Sequence, residues 1–261
     1  FGSGGNALVS LHLGLGEKKK ANEYFSMLVY ITAIGGIIIA ILSMFLVKPV
    51  AILFGANGAL LDNCILYGRI LCISLPAFML QNVFQSFFVT AEKPHLGLRV
   101  IVIAGVTNMV LDFLFVAVLH FGLPGAGFAT VCGEFIGGLF PLFYFGRKNS
   151  SLLKLRKTHF HGRILLKTCT NGSSELMTNL SSSIVNALYN MQLMKYIGTN
   201  GVVAYGIIMY VGFIFSGTYL GYAVGSAPVI SYHYGSGNKK ELKNLFRKSI
   251  TLIIVASLVM T

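Results

Sequence analysis

Long apolar runs, separated by short basic or polar stretches, dominate the hydrophobic pattern of this chain. The uncharged or nearly uncharged runs lie at 24–47, 64–90, 100–121, 126–145, 176–194 and 202–234. Each is close to or longer than the roughly 20 residues with which an α-helix crosses the hydrocarbon core of a bilayer. Two further runs, up to Leu15 and from Ser249 onward, are cut by the chain ends. The pattern predicts six complete and two partial transmembrane helices.

The composition supports the same fold class. Hydrophobic residues make up 55% of the 261 residues and charged residues 11%, with a mean hydropathy of +0.75. A soluble domain with so few charges would lack a polar surface. We therefore predict an all-α integral membrane protein. Because the sequence begins without Met and both ends fall inside apolar runs, we expect a fragment of a longer protein.

The net charge of +12 is explained by its distribution along the chain. Of the 20 Lys and Arg residues, 17 lie in alternate loops between the apolar runs. Cytoplasmic loops of membrane proteins carry this excess of basic residues. The cytoplasmic loops are then 16–23, 92–99, 147–167 and 235–248, and nucleic acid is not an expected partner.

A sequence repeat indicates how the helices are organised. The segment "SLHLGLGEKKKANEYF" begins at Ser10, the segment "SYHYGSGNKKELKNLF" begins at Ser231, and seven of their 16 aligned positions are identical. Both Gly-x-Gly-x-Lys-Lys loops are predicted to be cytoplasmic, so six crossings separate them and the repeats are parallel. The glycines are expected to turn the chain and the lysines to hold the helix ends at the headgroups. The parent protein is then a 12-helix transporter of two six-helix repeats.

This organisation gives three predicted segments. Residues 1–146 form an N-lobe that contains the second to sixth helices. Residues 147–167 form a cytoplasmic linker between the lobes, and residues 168–261 form a C-lobe that contains the seventh helix, the eighth helix and the start of the ninth.

Polar residues at one level of two neighbouring spans are the first candidates for function. Asn108 and Asp112 are four residues apart and share a helix face, where their oxygens suit a cation or a proton. On the next span Thr130 precedes Glu134 by one turn. If the hairpin turns at Leu123, Asp112 and Glu134 have similar depth. The candidate cation-coupling residues are Asn108, Asp112, Thr130 and Glu134. A structural alternative is that Asn108 and Asp112 only hold helices together.

Two other spans carry polar side chains inside apolar sequence. In the helix predicted from Glu175 to Tyr196, polar residues recur at intervals of three and four. The earlier span 64–90 also carries polar residues four apart, Gln81 and Gln85. Such a stripe lines a water-filled passage or a hydrogen-bonded helix seam. The residues assigned to a substrate cavity are Gln81, Gln85, Asn179, Ser183 and Asn186.

Three segments resemble the MATE (multidrug and toxic compound extrusion) antiporters, most closely the bacterial members. They are "YGRILCISLPAFMLQNVFQSFFVTAEKP", "TNMVLDFLFVAVLHFGLPGAGFATV" and "AYGIIMYVGFIFSGTYLGYAVGSAPVISYHYGSGN". The resemblance implies two six-helix lobes around a V-shaped cavity. It also implies a cation site in the N-lobe, to which Asn108, Asp112 and Thr130 correspond, together with an acidic residue on a first helix that precedes this sequence.

The function implied by the resemblance is secondary export of cationic lipophilic compounds in antiport with Na⁺ or H⁺. An alternative is a lipid or lipid-linked oligosaccharide flippase of the same superfamily, which is disfavoured because only Arg69 among the basic residues lies well inside a span. An enzyme is not expected, since all six His lie at span ends or in loops. We expect no cofactor or metal beyond the coupling ion, a monomer, small drugs and organic cations as partners, and a bacterial cytoplasmic membrane.

Overall fold

The computed structural model describes residues 2–53 and 55–260, and these residues are helical nearly throughout. The described residues form eight α-helices, with a π-helical segment, Phe113–Val118, directly after the fourth. The helices are α1 (Gly2–Gly14), α2 (Lys18–Leu53), α3 (Ala59–Thr90), α4 (Pro94–Asp112), α5 (Gly122–Gly146), α6 (Gly162–Tyr196), α7 (Thr199–Gly235) and α8 (Lys239–Met260).

Apolar side chains cover the outside of these helices. Five helices among the described residues are long and apolar enough to cross a membrane: α2, α3, α4 with its π-helical extension, α5 and α7. In the most apolar 18-residue stretch of α2 only 11% of the residues are buried, and Phe45 on this helix is 76% exposed. This arrangement suits hydrocarbon rather than water as the surrounding solvent. The sixth predicted span, 176–194, is helical within α6, but its polar stripe makes it less apolar than the other five.

The chain divides into two compact units that do not follow chain order. Among the described residues, the first unit consists of 18–53 and 55–162 with Gly2, and the second consists of 3–17 and 163–260. Helix α1 therefore belongs to the same unit as α6, α7 and α8. The lobe boundaries predicted above concern the whole transporter and stay a prediction.

In the first unit, α3 packs against α2 and α5, and α5 packs against α4. A cluster of buried phenylalanines joins the start of α2 to the ends of α3 and α5. Its ring centroids lie 5.0 Å apart for Phe25 and Phe87, and 5.6 Å apart for Phe84 and Phe145. Aromatic pairs of this kind add about 0.5–1.5 kcal/mol to their burial. Three segments next to predicted cytoplasmic loops thus meet at one end of the unit.

The segment before α6 lies along the first turns of α2. The backbone N–H of Lys154 donates to Asn22 Oδ1 over 2.6 Å, and that of Arg156 donates to Ser26 Oγ over 2.8 Å. The Leu153 side chain is fully buried. An extended segment outside a sheet needs such side-chain acceptors for its N–H groups. Because α6 begins at Gly162, the end of the predicted 147–167 linker, from residue 162 onward, is helical instead.

Helix α6 also corrects the predicted start of the polar helix. The sequence "NGSS" before Glu175 suggested a helix beginning there, but α6 runs continuously from Gly162. Glu175 therefore lies well inside the helix, where it is exposed and too far from the N-terminus to complement the helix dipole. The Gly-Ser dipeptide is accommodated inside the helix, and the Ser173 hydroxyl donates to the Thr170 carbonyl over 2.7 Å.

The two Gly-x-Gly turns have the same backbone structure. After α1, Gly16 adopts a φ of 81°, and the N–H of Glu17 donates back to the His12 carbonyl over 2.9 Å. This is the pattern of a Schellman helix cap, whose left-handed residue favours glycine. The same features recur in the second copy of the repeat, where Gly237 has a φ of 69° and the N–H of Asn238 donates to the His233 carbonyl over 3.0 Å. The turn role of the second glycine in each repeat is thus confirmed.

Candidate ion-coupling site

The hairpin between α4 and α5 turns earlier than its sequence suggested. We expected the turn at Leu123, in the middle of "FGLPGAG". Instead His120 adopts a φ of 55° and α5 begins at Gly122, with a φ of 60°. Leu123 and Pro124 lie in the first turn of α5, where a proline costs no helical hydrogen bond.

Two contacts fix the register of this hairpin. The Asn108 side chain lies opposite Thr130, as described below, and Gly133 lies against the backbone of α4. A Cβ built on Gly133 would lie 3.0 Å from the Ala104 carbonyl oxygen and 3.1 Å from Asn108 Cβ. The two helices therefore approach closely at this level because position 133 has no side chain.

The register shows that the predicted equal depth of the two carboxylates is wrong. Asp112 lies one turn beyond Asn108 towards the hairpin turn, level with Ala126. Glu134 lies one turn beyond Thr130 in the opposite direction, level with Ala104. Two turns of helix, about 12 Å at ~1.5 Å per residue, separate the two levels. The prediction failed because the hairpin turns before Leu123.

A short chain of hydrogen bonds connects α4 to α5. Asn108 Nδ2 donates to Thr130 Oγ1 over 3.4 Å, and Thr130 Oγ1 donates to the Ala126 carbonyl over 3.1 Å. Both side chains are half-buried. The bond holds two of the predicted cation ligands, one from each helix, beside one another. Thr130 donates its proton to its own helix, and one of its two lone pairs accepts from the amide.

Asp112 lies one turn from this pair and has an unmatched oxygen. The residue is half-buried, and its Oδ1 atom is buried without a hydrogen-bond partner. Leaving a buried acceptor unsatisfied costs about 1–3 kcal/mol, and more when the group is charged. Asp112 is also the last residue before the π-helical segment Phe113–Val118. The unmatched oxygen is available to a cation or a proton.

Glu134 faces another helix. Its carboxylate lies beside the fully buried Ser74 of α3, whose hydroxyl donates to the Leu71 carbonyl of its own helix over 3.0 Å. Helix α5 thus presents Thr130 to α4 and Glu134 to α3. Glu134 does not share a pocket with Asp112 in this structure.

The two glutamines predicted for the cavity occupy different positions on α3. Gln81 packs against Gly137 of α5, and its Oε1 atom is buried without a hydrogen-bond partner. Gln85 Nε2 donates to the Gly97 carbonyl at the start of α4 over 3.3 Å. Gln81 retains a free acceptor, whereas Gln85 holds two helices together.

The α6 stripe contains both exposed and paired residues. Asn179 and Ser183 are exposed, and the Ser183 hydroxyl donates to the Asn179 carbonyl of its own helix over 2.9 Å. Asn186 Oδ1 instead accepts a hydrogen bond of 2.7 Å from the hydroxyl of Tyr205 on α7. The Tyr205 ring also stacks on Tyr189, with centroids 5.4 Å apart. Asn186 thus contributes to the contact between α6 and α7, and the cavity assignment of all three residues stays a prediction.

Sequence reasoning missed Ser74. A single serine in "LCISLP" is unremarkable in an apolar run, but Ser74, Ala77 and Gln81 recur at helical spacing on the face that meets α5. The same kind of signal, two polar residues four apart at Asn22 and Ser26, marks the binding face for the segment before α6. The sequence shows the helical spacing of both sets of residues, but it does not show which segment each set contacts.

Long helices with exposed apolar surfaces, and an unmatched carboxylate oxygen between two of them, define an all-α membrane protein of the transporter class. The MatE family model matches residues 1–114 and 176–261. The chain belongs to the MatE family, which confirms the family and fold class expected from the sequence.

Individual relatives agree with this assignment. The chain is 25% identical over 259 residues to the multidrug export protein MepA of Staphylococcus saprophyticus, and this match covers 98% of the chain and 56% of that protein. The chain thus spans little more than half the length of the curated relatives it matches.

Solved structures share the fold. One, described as an outward-facing conformation of a multidrug resistance MATE family transporter of the MOP superfamily, matches with a TM-score of 0.88 at 22% identity. The match covers 99% of the chain and 58% of that structure. Another, a MOP superfamily transporter from Pyrococcus furiosus described as having a binding pocket of reverse polarity, matches with a TM-score of 0.89 at 22% identity. It covers 99% of the chain and 57% of that structure.

Proposed function

We propose that the protein is a secondary multidrug efflux transporter that exports cationic lipophilic compounds in exchange for Na⁺ or H⁺. Asp112 carries this proposal, because its Oδ1 atom is buried without a partner in a helix long and apolar enough to cross a membrane. A charged side chain at the bilayer centre costs about 2.5–3.5 kcal/mol on insertion scales and usually serves a function. The names of the MepA relatives support a drug as cargo.

The residues beside Asp112 suit a coupling ion as the second substrate. Asn108 and Thr130 supply neutral oxygens within one helical turn, and carboxylate, amide and hydroxyl oxygens are the ligands that hard cations prefer. Protonation of Asp112 is the alternative way to satisfy the buried oxygen. In either case the transporter needs no cofactor, and it acts as a monomer in the bacterial cytoplasmic membrane.

The test is transport by the full-length protein in proteoliposomes. A fluorescent organic cation is loaded, and its efflux is followed under an imposed Na⁺ gradient, an imposed pH gradient or neither. We expect efflux with one of the gradients and none without. Movement of a fluorescent lipid between leaflets, with no transport of the cation under either gradient, would replace drug export by the flippase alternative.

A further inference from the structure

Helices α1 and α7 meet at the first glycine of each Gly-x-Gly pair. A Cβ built on Gly14 would overlap the carbonyl oxygen of Tyr232, and a Cβ built on Gly235 would overlap the carbonyl oxygen of Leu11. The obstacle is backbone in both cases, so rotation of a side chain cannot relieve it. The two helices are in backbone contact here because neither glycine has a side chain.

The two helices contribute equivalent positions of the sequence repeat to this contact. The alignment of the two copies that pairs Ser10 with Ser231 also pairs Gly14 with Gly235 and Leu11 with Tyr232. Each helix therefore offers the same glycine and the same carbonyl to the other, as two copies do across a two-fold interface. A crossing of unrelated positions would not show this exchange.

This crossing explains why the motif needs two glycines. The second one, Gly16 or Gly237, adopts a positive φ in the helix cap. The first one, Gly14 or Gly235, is the last residue of its helix, where alanine would be a better helix former. Close helix approach is the physical reason for glycine at this position.

The position of the crossing gives it a role in transport. Helices α1 and α7 end next to the loops 16–23 and 235–248, which the charge distribution predicts to be cytoplasmic. A backbone contact leaves no room for a solute between the two helices.

We infer that the Gly14–Gly235 crossing is a closing contact of the cytoplasmic side, which forms and separates in each transport cycle. This inference rests on the proposed transport function. The two glycines are positioning residues, which set how closely the helices approach and contact neither ion nor drug. A permanent seam between α1 and α7 is the competing account.

The variants Gly14→Ala and Gly235→Ala test the contact in the full-length protein. Each adds one methyl group against a backbone carbonyl, so the helices must move apart. The matched controls are Gly221→Ala and Gly225→Ala on α7, because a Cβ at either position meets nothing within 4 Å. The controls share the gain in helix propensity that alanine brings.

The readout is the distance between spin labels at Leu15→Cys and Ser236→Cys in an otherwise cysteine-free protein. Both positions are exposed, and they are equivalent in the repeat. We expect Gly14→Ala and Gly235→Ala each to lower the ratio of short to long distances by about tenfold or more, since overpacking is destabilising. The double variant should lower this ratio little more than either single variant, because both changes disrupt the same contact. Unchanged distances in both single variants, or an equal shift in Gly221→Ala, would overturn the inference.

A second measurement keeps the native glycines. A short bifunctional thiol reagent joins the two introduced cysteines, at positions 15 and 236, in proteoliposomes. If the crossing must open, efflux stops on cross-linking and returns when a reducible cross-link is cleaved. Efflux at the uncross-linked rate would show a permanent seam. The label distances need no transport, so a shift in a protein that does not export drugs would count against the proposed function alone.

Discussion

Asp112 and Glu134 lie on adjacent helices of one hairpin, yet their surroundings differ. Asp112 has a buried oxygen without a partner, next to the Asn108–Thr130 bond. Glu134 lies beside the buried Ser74 of α3, and neither of its oxygens is both buried and without a partner. A carboxylate whose hydrogen bonding is met within the protein stabilises a helix contact, whereas one with an unmet oxygen can exchange ligands. From this difference we expect ion coupling to depend on Asp112 and Glu134 to have a structural role.

The largest effect is expected from Asp112→Asn. Asparagine keeps the volume of the side chain but removes its charge and its titration. Ion-driven efflux from proteoliposomes should fall to the level of protein-free liposomes, while the variant remains folded and inserted. Size-exclusion behaviour and thermal unfolding equal to wild type provide the control. Efflux at the wild-type rate under both gradients would reduce Asp112 to a residue that only holds helices together.

Glu134→Gln should have a much smaller effect on coupling. Glutamine keeps the size and polarity of the side chain beside Ser74, and position 134 lies two helical turns from the level of Asp112. We expect efflux to keep its ion dependence, with a rate within about fivefold of wild type, the factor that corresponds to the ~1 kcal/mol between a charged and a neutral hydrogen-bonding group. Glu134→Ala, which removes the half-buried polar side chain from the contact with α3, should lower thermal stability more. Loss of coupling in Glu134→Gln would erase the distinction between the two carboxylates.

Asn108→Ala tests whether the neighbour of Asp112 contributes to ion binding. It removes the bond to Thr130 and one neutral oxygen near Asp112. The concentration of coupling ion that half-saturates efflux should rise about fivefold, as expected for ~1 kcal/mol per neutral hydrogen bond. The maximum rate should change little. Asn82→Ala is the control, because its side chain is exposed on α3 and bonds only to its own helix. Equal half-saturation in Asn108→Ala and wild type would remove Asn108 from the ion site.

The smallest effects are expected in α6, where paired and exposed polar residues alternate. Cysteines at Asn179 and Ser183 should react with small water-soluble thiol reagents and be protected by substrate. Asn186→Ala should instead lower the free energy of unfolding by about 1 kcal/mol, because it leaves the Tyr205 hydroxyl unpaired. Inert cysteines at 179 and 183, with reactive cysteines one residue away, would extend the seam to the whole stripe.

The sequence was sufficient for the helices because each crossing is a long apolar run bounded by charged or turn-forming residues. It was also sufficient for the second glycine of each repeat, since a Schellman cap is local. The level of Asp112 relative to Glu134 was predicted wrongly, because the chain already turns at His120, and positive φ is uncommon at a residue other than glycine. Contacts such as Glu134 with Ser74, or Gly14 with Tyr232, join distant parts of the chain, and no local pattern identifies the partner.

The most direct test of the central claim measures ion release when drug binds. Purified full-length protein is loaded with the coupling ion, and a transported cation is added while released Na⁺ or H⁺ is recorded. Wild type and Glu134→Gln should release the same number of ions per bound drug. Asp112→Asn should bind drug and release none of the ions that wild type releases. Release from Asp112→Asn equal to that of wild type would contradict the assignment of the exchange to Asp112.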